Sequence, residues 1–118
     1  RSARLVGDMK RGEVWEADLD GKAGIRPVVL LTRSAVIPHL NKVTVAEITS
    51  QGKGYPTEVD INQQANLPRH SFVQLDNIQT IPKQRLTKYI GTLNDASLQL
   101  IGQKVVLALN LEDVFSLP

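Results

Sequence analysis

The sequence predicts a mainly β (α+β) domain: a small, strongly curved, partly closed sheet of about six short strands, closed off by one C-terminal helix. Three observations carry this. A nearly unbroken apolar run follows Pro27. Short β-branched or alternating stretches recur between turn signals up to Leu93. Beyond Asn94 the apolar spacing changes to three and four residues.

The run Gly24-Ile25-Arg26-Pro27-Val28-Val29-Leu30-Leu31-Thr32 is the centre of the pattern. It reads as a strand buried on both faces, too short for a helix. Pro at the first strand position is tolerated, because the ladder is only beginning there. The ring pushes Arg26 into extended backbone, which leaves a cation at the mouth of a core strand. Such a residue either serves function or simply solvates a strand end.

The other elements follow in order. Glu13 to Leu19 alternates, with Trp15, Ala17 and Leu19 on one face and Val14, Glu16 and Asp18 on the other, as a half-buried strand does. Asp20 to Gly24 is a turn, and Arg33 to Lys42 an aperiodic connection. Val43–Thr49 is a third strand. Ser50 to Pro56 is a glycine-broken loop, expected to be mobile, and Thr57–Ile61 is a short alternating strand. Asn62 to Arg69 is polar and turns. Ser71 to Ile81 is a strand bending near Asn77, Pro82 to Arg85 at most one helical turn with Pro at its first position, and Leu86 to Leu93 a last strand weakened by Gly91. A cap at Asn94 or Asp95 opens a helix with Leu98, Ile101, Val105 and Leu109 on one face. Gly102 inside it costs roughly 1 kcal/mol against Ala, which suggests close contact with the sheet or a partner.

Length and composition set the bounds. The 118 residues make one domain, residues 9–118, with 42% hydrophobic and 22% charged residues as in an ordinary globular protein. Met9-Lys10-Arg11-Gly12 looks like a natural start, so residues 1–8 read as a flexible leader or an artificial extension. A formal charge of +2 permits a nucleic-acid partner without arguing for one. Aromatics are few, so a base-stacking RNA platform built on exposed Phe and Tyr is not expected. The absence of Cys excludes disulfides and thiolate chemistry and suits a reducing cytoplasm. No apolar run reaches the roughly 18 residues needed to span a bilayer, so no membrane role is expected.

Chemistry has few candidates. His39 and His70 lack the spacing of a metal site, so no metal or cofactor is expected. They would act as an acid–base pair only if folding joined them. Phosphate-cradling glycine loops and nucleophile elbows are missing. There remain polar groups at strand ends: Arg26, Thr49 with Ser50, and Gln74 with Asp76. Together they would supply a cation for phosphate, a hydroxyl donor, and a carboxylate for a proton or a base edge. Singly, Thr49 is also an ordinary strand-end hydroxyl and Asp76 a turn former.

Lys10-Arg-Gly-Glu-Val-Trp, Asp18-Leu19, Arg26-Pro-Val-Val-Leu-Leu, Ile48-Thr-Ser and Leu75-Asp-Asn-Ile-Gln-Thr-Ile-Pro-Lys-Gln-Arg-Leu occur in that order. From Met9 to Phe115 the chain resembles the MazF/PemK (Kid) toxins of bacterial type II toxin–antitoxin pairs. The resemblance implies a curved SH3-like β-barrel (CcdB/MazF/Kid-like) with a C-terminal helix, a homodimer, a cytoplasmic location and metal-independent cleavage of single-stranded RNA. The RNA would be mRNA, or tRNA or rRNA. It implies catalytic roles for Arg26, Thr49 and Asp76; beside them, Ser50, Lys53, Arg69 and Gln74 are the RNA contacts expected from their polar side chains. It further implies a cognate antitoxin whose disordered acidic tail folds over the groove. The sequence departs from the family in its short Asp20-to-Gly24 loop and in Gln74 and Gln79, which stand where arginines are frequent. These changes leave the general acid and base open. Two alternatives stay beside the nuclease: a CcdB-like gyrase poison on the same fold, and an RNA-binding module without catalysis.

Overall fold

The computed structural model describes residues 9–21 and 24–115; the leader expected at residues 1–8 lies outside them. Six strands form one antiparallel sheet: β1 (Glu13–Asp18), β2 (Ile25–Leu30), β3 (Lys42–Thr49), β4 (Glu58–Asn62), β5 (Ser71–Pro82) and β6 (Leu86–Thr92). Helix α1 (Asp95–Ala108) and a short α2 (Glu112–Phe115) follow. The strand order is β4-β5-β3-β2-β1-β6.

The sheet has an apolar core on each face. Val29 joins Val14, Ala46, Ile48, Val73 and Ile101 beneath α1. Val28 and Leu30 join Met9, Trp15, Ala17, Ile37 and Val45 on the other side. All three β2 residues are fully buried, as the unbroken run predicts. The strand begins earlier than expected, at Ile25, so Pro27 is not its first residue. Pairing with β3 starts only at Val28, so the Pro lies where β2 has a ladder partner on one side. In β1, Val14 is buried under the α1 core, and only Glu16 and Asp18 keep that face partly open. The connection after β2 holds a 3₁₀ turn, Ser34–His39, that drives Ile37 into the second core. A single apolar anchor gives no period to read.

Strand β5 does bend where expected. Its register with β3 jumps from Glu47↔Gln74 to Ala46↔Ile78, leaving Leu75, Asp76 and Asn77 without β3 partners. After it comes a 3₁₀ turn, Lys83–Arg85, with Pro82 as its cap residue and not inside it. Arg85 pairs with Asp20 and donates to the Asp18 carbonyl at 3.5 Å, tying this turn to the β1–β2 turn.

The edges β4 and β6 do not pair with each other, so the sheet is curved but not a closed barrel. Residues 62–69 bridge the gap instead. Asn66 Nδ2 donates to the Ile90 carbonyl at 2.8 Å. Gln64 donates to Ser97 Oγ at 3.0 Å and accepts from the Asn94 amide at 2.9 Å. Leu67 is buried in the α1-side core. Asn62, Ala65 and Asn66 take positive φ to make this path. Gly91 is what lets it close, since an added Cβ would lie 2.5 Å from the Ala65 carbonyl oxygen. The glycine expected to weaken β6 is a requirement of the fold.

Helix α1 is capped by Asn94, whose side chain accepts from the Ser97 amide at 2.8 Å. Leu98, Ile101 and Val105 pack on the sheet as expected. Leu109 does not: the helix ends at Ala108, the chain reverses at Asn110 with φ 57°, and Leu109 is 56% exposed. The close contact with the sheet expected at Gly102 is also missing, because a Cβ there meets nothing of this chain nearer than Arg11 Nη2 at 4.0 Å.

Two stability measurements follow. Gly91→Ala should cost about 1–3 kcal/mol, through backbone that cannot yield, and lower the melting temperature. Gly102→Ala should raise stability by roughly 0.5–1 kcal/mol. A destabilised Gly102→Ala would mean that this face of α1 is not open.

Candidate active site

The strand registers place three side chains in one transverse row. The β2–β3 pairing stops at Val28↔Glu47, so Arg26 and Thr49 lie beyond it, at the ends of the two strands that do not pair with each other. Thr49 faces Phe72 on β5, and Phe72 faces Asp60 on β4. Alternation puts the row on the sheet face away from α1, because Ile48, Val59 and Val73 beside these residues all point into the α1-side core. Directly opposed residues have Cβ atoms about 5 Å apart.

Arg26 and Thr49 line a groove of about 310 Å³ at the open end of the sheet. Ser50, Gln51, Arg69 and Ser71 complete its polar lining; Pro27, Ile48, Leu67 and Pro68 are its apolar part. Thr49 Oγ1 accepts the Gln51 amide at 3.0 Å, so the hydroxyl hydrogen is left to donate elsewhere. A groove with two guanidinium side chains and three hydroxyl groups suits an anion with several oxygens.

A second recess of about 200 Å³ holds Lys53, Tyr55, Thr57, Glu58, Gln74, Asp76 and Asn77, and shares no lining residue with the first. Asp76 lies in the β5 bulge, where its Oδ2 accepts from Thr57 Oγ1 at 2.6 Å. Along β5, Asp76 is four residues from Phe72, the partner of Thr49, at most about 13 Å in a straight strand. The expected residues therefore divide: Arg26, Thr49, Ser50 and Arg69 in one groove, Lys53, Gln74 and Asp76 in the other.

Glu58 organises the loop between the two. Its carboxylate accepts the amides of Lys53 at 3.0 Å and Gly54 at 3.0 Å, and Gln74 Nε2 at 3.1 Å. Partial burial pushes its pKa up, but the accepted bonds from Gln74, Lys53, Gly54 and Tyr55 outweigh this and hold it below the usual value. The loop expected to be mobile is thus tethered, and Gly52 sits so close to Phe72 that an added Cβ would lie 2.8 Å from the ring. Gln74 and Gln79 donate to carboxylates: Glu58 at 3.1 Å and Glu47 at 2.9 Å.

The histidines are not brought together as a pair. His39 lines a separate recess with Asn41, Lys83 and Gln84, whereas His70 bonds Asp60 at the start of β5. The roles of Glu58, Asp60 and Phe72 were not visible in the sequence, since they depend on the β4–β5 register. Among the described residues no group of three or more His, Asp or Glu is placed to hold a metal ion, and no helix is long and apolar enough to cross a membrane.

Comparison with known proteins identifies the family. Residues 10–109 match the family described as PemK-like, MazF-like toxin of type II toxin-antitoxin system. Endoribonuclease MazF3 of Mycobacterium tuberculosis is 42% identical over 92 residues, covering 78% of this chain and 84% of that protein. Endoribonuclease EndoA of Bacillus subtilis is 33% identical over 113 residues, 89% and 97% of the two chains. A solved mycobacterial endoribonuclease in complex with its cognate antitoxin superposes with a TM-score of 0.79 at 26% identity, covering 93% of this chain and 99% of that one. The chain belongs to the PemK-like, MazF-like toxin family of type II toxin–antitoxin systems.

Proposed function

We propose that this chain is a toxin endoribonuclease that cuts single-stranded RNA, halts translation and growth in a bacterial cytoplasm, and is neutralised by a cognate antitoxin. The observation that carries this reading is the juxtaposition of Arg26 and Thr49 in one groove. The relatives named as endoribonucleases favour it over a gyrase poison or a silent RNA binder.

RNA brings its own nucleophile, the 2′-hydroxyl. The protein must stabilise charge on the phosphorane while protons leave the 2′-oxygen and reach the departing 5′-oxygen. Arg26 grips the non-bridging oxygens through its planar fork, which suits phosphate better than an ammonium does. Thr49 donates to the same oxygens while its oxygen accepts the Gln51 amide. Ser50 and Arg69 hold the strand along the groove. An arginine is a poor proton donor, so Arg26 stabilises charge and moves no proton. Products are a 2′,3′-cyclic phosphate and a 5′-hydroxyl, and no metal ion is required.

Lys53, Gln74 and Asp76 form the second contact zone for the same RNA strand. Their separation from Arg26 supports a base-edge contact for Asp76 within one protomer over a role at the cleaved bond. An antitoxin tail rich in acidic residues would cover Arg26, Arg69 and Lys53 by mimicking the phosphates. The working unit is a homodimer.

Arg26→Ala should lower cleavage of a long mixed-sequence RNA in EDTA by ~10²–10³ with melting unchanged. Wild-type fragments should end in cyclic phosphate; near-normal cutting by the variant would remove Arg26 from the mechanism. Glu58 gives a pH test. Its folded pKa is depressed, so its contribution is present above the unfolded value and lost as pH falls through the folded one. Amide exchange at Lys53 and Gly54, corrected for the intrinsic rate, should therefore speed up only in that acid range. In Glu58→Gln it should already be fast at neutral pH.

A further inference from the structure

His70 has no part in the mechanism above, yet it is placed beside it. It stands between Arg69 and Ser71, both of which line the groove. Its Nε2 lies 2.6 Å from Asp60 Oδ1, an oxygen that also accepts the Asn62 amide at 2.9 Å. A carboxylate only accepts, so Nε2 carries the proton in this contact and Nδ1 is left as an acceptor. The imidazole packs on Phe72, with ring centroids 5.1 Å apart and planes inclined by 32°. Phe72 is itself braced by Gly52 and faces Thr49 in the transverse row. The His70 side chain nevertheless remains 54% exposed.

We propose that His70, backed by Phe72 and held by Asp60, is a stacking subsite for the nucleobase next to the phosphate gripped by Arg26 and Thr49. It sets the base preference at that position. This rests on the endoribonuclease reading given above. Distance separates the role from proton transfer. Asp60 lies two strand spacings from Thr49, about 10 Å, whereas a general base must come within about 3.2 Å of its proton. Charge separates it from phosphate binding, because the Asp60 carboxylate beside the ring repels a phosphate. Stability does not account for it either, since a side-chain contact this exposed contributes little. A ring fixed in its tautomer and supported from behind is what stacking on an unpaired base uses, and Nδ1 can accept from an exocyclic amino group. The scarcity of aromatic residues rules out a broad platform but not a single subsite.

The test is end-sequencing of a random-sequence RNA pool digested in EDTA by wild type, His70→Ala and His70→Phe, with KM and kcat on one selected substrate. His70→Ala should raise KM about tenfold, more than it lowers kcat, and relax the base choice at one position flanking the cut. His70→Phe should recover KM, because it keeps a ring, while its base choice shifts because Nδ1 is lost. Unchanged KM and sequence choice in His70→Ala would overturn the subsite while leaving the nuclease reading intact. So would equal kcat losses in both variants with one limb of the pH profile removed, which would mark proton transfer. A wild type that cuts no RNA would sink the nuclease reading and this subsite with it.

Discussion

Burial of β2 on both faces is the constraint on which the rest depends. Val28 and Leu30 fill one core and Val29 the other, all without solvent contact. A slip of one residue would exchange the two sets and leave both cores wrongly filled, so the register is strongly specified. Just past the last β2–β3 pair, Arg26 and Thr49 end up lining one groove. The cation is therefore positioned by the packing of residues that never meet a substrate. Preorganisation of this kind lets a charged group stabilise a developing charge without reorganising at the moment of reaction.

Closure of the domain is achieved by a loop and not by a ladder. The 62–69 segment fastens β4 to β6 and to the start of α1, and its last residues supply Leu67, Pro68 and Arg69 to the groove. The same segment thus seals the α1-side core and forms one wall of the site. Glu58 does the corresponding work on the other side, holding residues 53 and 54 by their amides. The RNA path expected from these walls is rigid at both borders, which favours selective reading of a few bases over loose electrostatic capture.

What was legible in the sequence was whatever repeats. The apolar run of β2, the spacing of Leu98, Ile101 and Val105 and the Asn94 cap all appear as read. The bend near Asn77 was visible as well, but not its size. Three unpaired residues there carry Asp76 away from Thr49 and out of the Arg26 groove, and no pattern of residue types encodes that transverse distance. Leu109 kept the helical spacing but fell one residue past the helix end. Gly91 read as a weak strand position because its meaning lies in a contact with Ala65, far away in the chain. The pairing of His70 with Asp60 likewise waits on the β4–β5 register.

The central claim is that Arg26 and Thr49 act on one phosphate as a unit. A double-mutant cycle on RNA cleavage in EDTA, with Arg26→Ala, Thr49→Val and the double variant, tests it most directly. If both side chains hold the same oxygens, the double variant should be about as slow as the slower single one. If the two rate losses instead multiply in full, the residues act independently and the shared grip is wrong.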